Sequence, residues 1–179
     1  MHRAPCLLPA AAVAALALAL VGCTTPDSTP TPPPTSDAAP VFASDEEALA
    51  AAEEAYGEYL ATVSQVLADG GTHPERLKRY LVATLYEEEL AGYEELAANG
   101  WRGIGAYSFE MTPQDLDPAS GELAVYVCDD RSALDIVDAS GNSVVEDGRP
   151  DRAPSEVNFV WDGALLIESQ TAWDGGGVC

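Results

Sequence analysis

The sequence predicts an α+β domain in which N-terminal helices, one of them long, pack on one face of a curved antiparallel sheet of four to six strands. Three observations carry this. Apolar residues recur every three or four positions up to Gly100 and roughly every two beyond it. Turn-forming clusters at Ser120-Gly121, Asp138 to Asn142 and Asp162-Gly163 then separate β-rich runs at hairpin distances. Helices gathered ahead of antiparallel strands give segregated layers rather than alternating βαβ units.

The first helix starts at Ser44, Asp45, Glu46 and Glu47. This is a capping-box pattern, with acids at the positive end of the helix dipole. Leu49, Ala52, Tyr56, Tyr59, Leu60, Val63, Val66 and Leu67 form its apolar stripe, and Asp69-Gly70-Gly71 ends it. Pro74 suits the first turn of a short second helix carrying Leu77, Tyr80 and Leu81 inward. A third helix is expected from Thr84 to Ala98, with Leu85, Tyr86, Leu90, Tyr93 and Leu96 inward and Asn99-Gly100 as its stop. Trp101 to Met111 alternates as a strand, and Glu122 to Cys128 is a second. Leu134 to Val137 and Val144-Val145 read as a small hairpin. Glu156 to Trp161 and Ala164 to Trp173 form a hairpin across a two-residue Asp-Gly turn.

Ahead of this domain the chain reads as a targeting device and a spacer. Met1-His2-Arg3 is a short positive start. Leu7 to Val21 is an apolar run shorter than the ~20 residues a spanning helix needs, so residues 1–22 read as a signal peptide. Leu20-Val21-Gly22-Cys23 resembles the lipobox of bacterial lipoproteins, which implies cleavage before Cys23 and a diacylglyceryl group on its thiol. The alternative is an ordinary secretory signal with an incidental cysteine. Lipidation would make the outer face of the cell membrane a partner through the N-terminal anchor. From Cys23 to Ala43 six prolines among Thr and Ser leave no packable pattern, so this stretch reads as an extended, disordered tether. Residues 44–179 are expected to form a single domain.

The layout carries a further resemblance. A long first helix, the Pro74 to Leu77 break, the strand bearing Tyr126, Cys128 and Asp130, the Val137 to Gly141 turn, and an ending with Leu165, Trp173 and Cys179 resemble a group of actinobacterial membrane-anchored lipoproteins without an assigned reaction. Their layout is similar to the cone-shaped nuclear transport factor 2-like fold. That resemblance implies a cone-like sheet. It implies no activity, because this fold hosts enzymes, binders and scaffolds alike.

Charge and residue types narrow the function. Thirty acids against eight bases give a net charge of −22, so clustered cations for nucleic acid or anionic lipid are missing and no nucleic-acid partner is expected. Loss of the leader would remove Arg3 and no acid. Of the four cysteines, Cys6 would leave with the leader and Cys23 would be lipidated, so Cys128 and Cys179 are expected to pair in an oxidising compartment. The alternative, a free reactive thiol at Cys128, is disfavoured by the neighbouring Asp129 and Asp130 carboxylates.

His73 is the one histidine beyond the leader, too little for a zinc site or a Ser-His-Asp triad. It reads as a helix-entry residue. Asp138, Ser140 and Asn142 lack calcium-loop spacing, and Gly103, Gly105 and Gly175 to Gly177 have no following helix to cradle phosphate. No metal or cofactor is expected, and no catalytic residue is assigned. Three functional readings remain. One is a tethered binding or interaction module for an envelope protein or a small apolar ligand, with Trp101, Tyr107, Tyr126, Phe159 and Trp161 as pocket candidates. Another is a small isomerase or dehydratase using a buried acid, for which Asp129, Asp130 and Asp135 are candidates by position. The last is a structural envelope accessory protein whose acidic surface keeps it soluble.

Overall fold

A computed structural model describes residues 39–179. The expected signal peptide, the expected lipidation at Cys23 and most of the expected tether lie outside them. The described residues are α+β as the periodicity predicts. Helix α1 (Asp45–Ala68), a 3-10 turn (Pro74–Arg79) and helix α2 (Ala83–Asn99) precede six strands. These are β1 (Arg102–Ile104), β2 (Ser108–Asp117), β3 (Glu122–Asp130), β4 (Asp135–Val137), β5 (Arg152–Trp161) and β6 (Leu165–Ala172). Among these helices none is long and apolar enough to cross a membrane.

Ser44 caps α1 by accepting from the Glu47 N–H at 3.3 Å, and the Glu47 carboxylate accepts from the Ala43 N–H at 2.8 Å. The reciprocal half of the box therefore closes one residue earlier than the motif specifies. At the other end of the helical layer, Gly100 adopts a left-handed conformation with φ of 67° and donates back to the α2 carbonyls. The chain leaves α2 directly into β1.

Four antiparallel strands form the main sheet in the order β2-β3-β5-β6, and β1 pairs with β4 in a separate two-stranded sheet. Irregular register at Pro113/Asp115 and Asn158/Phe159 adds the local twist that curves the main sheet, which stays open rather than closing into a barrel. Its free β6 edge is partly covered. The Ile167 N–H donates to Tyr80 at 2.7 Å, and the Val82 N–H donates back to Ile167 at 3.0 Å.

Alternation along β3 divides the two faces. Leu123, Val125, Val127 and Asp129 point inward to the helices, while Ala124, Tyr126, Cys128 and Asp130 point outward. Inside, Tyr56, Val66, Leu77, Phe159 and Ile167 are fully buried. Outside, the C-terminal tail folds back over the sheet. Cys179 is disulfide-bonded to Cys128, with Cα atoms 5.3 Å apart, and Trp173 packs on Tyr126 with ring centroids 4.6 Å apart.

Three sequence expectations need correction. The strand expected from Trp101 to Met111 is broken into β1 and β2, which belong to different sheets. The Leu134 to Val145 hairpin is present but short, one bridge from Val137 to Ser143 with the Asp138 N–H donating to Asn142 and the Val144 N–H to Ile136, and the other edge of β4 pairs with β1, which the sequence did not predict. The tether also ends earlier than Ala43. Phe42 is buried, and the N–H groups of Val41 and Phe42 donate to the carbonyls of Ala119 and Pro118 at the β2–β3 turn.

Candidate functional site

The open end of the helix–sheet layer contains a cavity of about 450 Å³, bounded by α1, α2, the end of β3 and the segments carrying Tyr107, Arg131 and Arg149. Its floor is apolar, with Leu60, Val63 and Leu67 from α1, Leu96 from α2, and Leu134 and Ile136 opposite. The polar groups are concentrated on two walls.

On the sheet wall Asp129 is 7% exposed. The Tyr56 hydroxyl lies 3.0 Å from both of its carboxylate oxygens and donates to it. Gln170 on β6 donates to the same carboxylate at 3.3 Å and to the Tyr56 hydroxyl at 3.1 Å. Burial raises the Asp129 pKa above the ordinary carboxyl value, while the Tyr56 hydrogen bond, Arg131 and Gln170 oppose that rise. On the helix wall the Tyr59 and Tyr93 hydroxyls donate to the two oxygens of Glu89, at 2.8 and 3.1 Å. Burial raises the Glu89 pKa too, against those two bonds. Two carboxyl groups thus line one cavity, Asp129 held by one phenol and an amide and Glu89 by two phenols, each with its pKa raised.

Arg131 and Arg149 provide opposite charge. Arg149 donates to the backbone carbonyls of Leu134 at 2.7 Å and Arg131 at 3.2 Å, which fixes the loop after β3. Arg131 donates to the Pro150 carbonyl at 3.3 Å, but its buried Nε–H has no partner among the described residues. Tyr107 lines the cavity between these groups. Burial raises its phenol pKa; Arg131 and Arg149 oppose that, and Asp129 and Glu89 add to it.

Of the five aromatic pocket candidates, only Tyr107 lines this cavity. Trp101 packs half-buried against the core. Phe159 is core, Tyr126 lies under Trp173 on the outer face, and Trp161 is 41% exposed against Phe42. Among the acids, Asp129 lines the cavity. Asp130 is on the outer face, accepting from Ser132, and Asp135 accepts from Ser143 and from the Ile136 N–H.

Sequence reasoning missed Glu89, Arg131 and Arg149. A signal for Glu89 was present: it sits on the Leu85, Tyr86, Tyr93, Leu96 stripe, and a carboxyl on the apolar face of a helix asks for a partner. Parity along β3 likewise places Asp129 with Val125 and Val127 and excludes Tyr126.

Among the described residues no group of three or more His, Cys, Asp and Glu is placed to hold a metal ion. His73 stays exposed before Pro74, its ring 3.1 Å from the Glu75 carboxylate. Another depression, of about 250 Å³ on the outer face, is lined by Asp115, Glu122 and Glu168, with no Lys or Arg among its lining residues.

No protein-family profile matches the chain, and no curated protein matches it. Among solved structures it is similar to the intermembrane space region of the chloroplast protein ARC6. The TM-score is 0.53 at 11% identity, over 69% of this chain and 95% of that one. At that identity the likeness is one of fold.

Proposed function

We propose that the chain is a lipid-anchored extracytoplasmic binding module that holds a small molecule between its helices and its curved sheet. The observation that carries this is the cavity at the open end, where an apolar floor meets a few fixed polar groups, the combination typical of small-ligand sites. The lipobox-like Leu20 to Cys23 supports the anchor. The Cys128–Cys179 bridge fits an oxidising compartment, and the ARC6 region of similar fold is an intermembrane space region. The order of helices and curved sheet supports kinship with cone-shaped nuclear transport factor 2-like domains.

A second reading, proton transfer by Asp129, is favoured by one observation. This acid is buried at a cavity wall with its pKa raised. Its oxygens are already engaged by Tyr56 and Gln170, which fits a structural acid better than a free base.

Native mass spectrometry of the full-length protein extracted from its own membrane tests the binding module. The expected result is lipid mass on an N-terminal fragment beginning at Cys23, plus a noncovalent small molecule on the folded domain. Unmodified Cys23 would remove the anchor. A domain that neither carries nor takes up any small molecule would remove the binding role.

A further inference from the structure

Two features of the cavity point to the class of ligand. The first is charge. In a chain with 30 acids and 8 bases, the arginines Arg131 and Arg149 converge on one small cavity. The acids that share it are committed elsewhere, Asp129 to Tyr56 and Gln170, and Glu89 to Tyr59 and Tyr93. Among the described residues the guanidinium groups have no carboxylate partner there. Arg149 bonds to two backbone carbonyls, while Arg131 bonds to one carbonyl and has a buried Nε–H without a partner among the described residues. A guanidinium with unused donors is suited to receive a planar or tetrahedral anion.

The second feature is an adjoining groove. A cavity of about 470 Å³, lined by Gly57, Ala61, Ser64 and Phe109, meets the first at Leu60 and Tyr107, which line both. Its walls are mostly apolar, so an arginine-bearing cavity and an apolar groove lie side by side across Leu60 and Tyr107. Tyr107 is common to the walls of both.

We propose that this site takes a small amphiphile with one anionic head group, a carboxylate or a phosphate, received by Arg131 and Arg149, with an unbranched apolar tail passing Leu60 and Tyr107 toward Phe109. The inference rests on the cavity being a ligand site. Neutral or cationic amphiphiles of the same length leave the Arg131 donors unmet and bind more weakly.

Isothermal titration calorimetry of the full-length protein with decanoate, decyl phosphate, decanol and decylamine, each below its micelle-forming concentration, tests this. Decanoate or decyl phosphate is expected to bind at least tenfold tighter than decanol, and decylamine weakest. The order of the two anions identifies the head group. Arg131→Gln is expected to reduce anion binding to the level of decanol and to leave decanol binding unchanged. Near-UV circular dichroism checks its fold, and the four-ligand comparison on the unaltered protein does not depend on the variant. Decanol binding as tightly as decanoate, or an Arg131→Gln protein that keeps the preference, overturns the anionic head group and leaves the small-ligand reading standing. Failure of all four probes overturns the amphiphile, while a different co-purifying molecule would still uphold a binding module.

Discussion

Asp129 is the residue on which position and chemistry meet. Its carboxyl is buried beside Tyr56 and Gln170, so the native state holds its proton more tightly than the unfolded chain, whose ordinary Asp value is 3.8. The linkage sign follows. Between that ordinary value and the raised native one, the native state binds more protons, so this group lowers stability as pH rises, and the penalty persists at neutral pH. Asp117, Asp130 and Asp138 act oppositely: hydrogen bonds lower their pKa values, so the stability they contribute is lost as pH falls. Asp129→Asn removes only the first effect. The amide keeps an acceptor for Tyr56, so thermal unfolding at pH 7.5 is expected to give a higher melting temperature than the unaltered chain. That gain should shrink toward pH 4. A lower melting temperature at pH 7.5 would mean that the Tyr56 and Gln170 bonds outweigh burial and that the charged form is the native one. Little of this was legible in sequence, because Tyr56 lies 73 residues from Asp129 and Gln170 lies 41 away. Parity on β3 gives the face, but only the fold gives the partners.

At the scale of elements, local signals were read well where one residue's backbone decides the outcome. Ser44, Gly70-Gly71, Pro74 and Gly100 all lie at element ends, since caps and turns depend on neighbours in sequence; the Asp162-Gly163 turn is also in place, but Ala164 joins it in a three-residue loop instead of the two-residue turn expected. The errors lie where pairing is long-range. The segment holding β1 alternates acceptably as one long strand, yet β1 pairs with β4 and β2 pairs with β3. Gly71 joins the two kinds of information. Its φ of 77° favours glycine locally, and a Cβ there would overlap the Tyr93 carbonyl on α2. This contact holds the end of α1 against α2, and with it the Tyr59, Glu89 and Tyr93 wall of the cavity. Gly71→Ala therefore combines backbone strain of about 1–3 kcal/mol with displacement of α2. Chemical denaturation should show that loss of stability, and tyrosine fluorescence should report an altered Tyr59 and Tyr93 environment in the native baseline. A stability loss with an unchanged native baseline would show that α2 absorbs the contact without moving that wall.

For the molecule as a whole, the acidic excess and the disulfide oppose each other. A net charge of −22 puts self-repulsion into any compact state, and Arg76, Arg79 and Arg152 each offset one acid at the surface, Asp69, Glu58 and Glu110. Such exposed pairs contribute little. The Cys128–Cys179 bridge closes a separation of 51 residues and clamps the C-terminal tail on the outer face. On the chain-entropy account a loop of that length is worth up to about 4 kcal/mol, a large part of the stability of an ordinary domain. Reduction should therefore lower the melting temperature most at low ionic strength, where repulsion is least screened, and added salt should recover part of the loss. The double variant Cys128→Ser, Cys179→Ser, melted in 10 mM and 500 mM sodium chloride beside the oxidised chain, gives the comparison. The variant is expected to melt lower in both and to gain more from salt than the oxidised chain, because its freed tail widens the ensemble over which the acids repel. Equal salt gains in the two proteins would show that the bridge and the charge act independently. The bridge would then stabilise through the unfolded chain alone, and the tail's cover over Tyr126 and Cys128 would add nothing to charge tolerance.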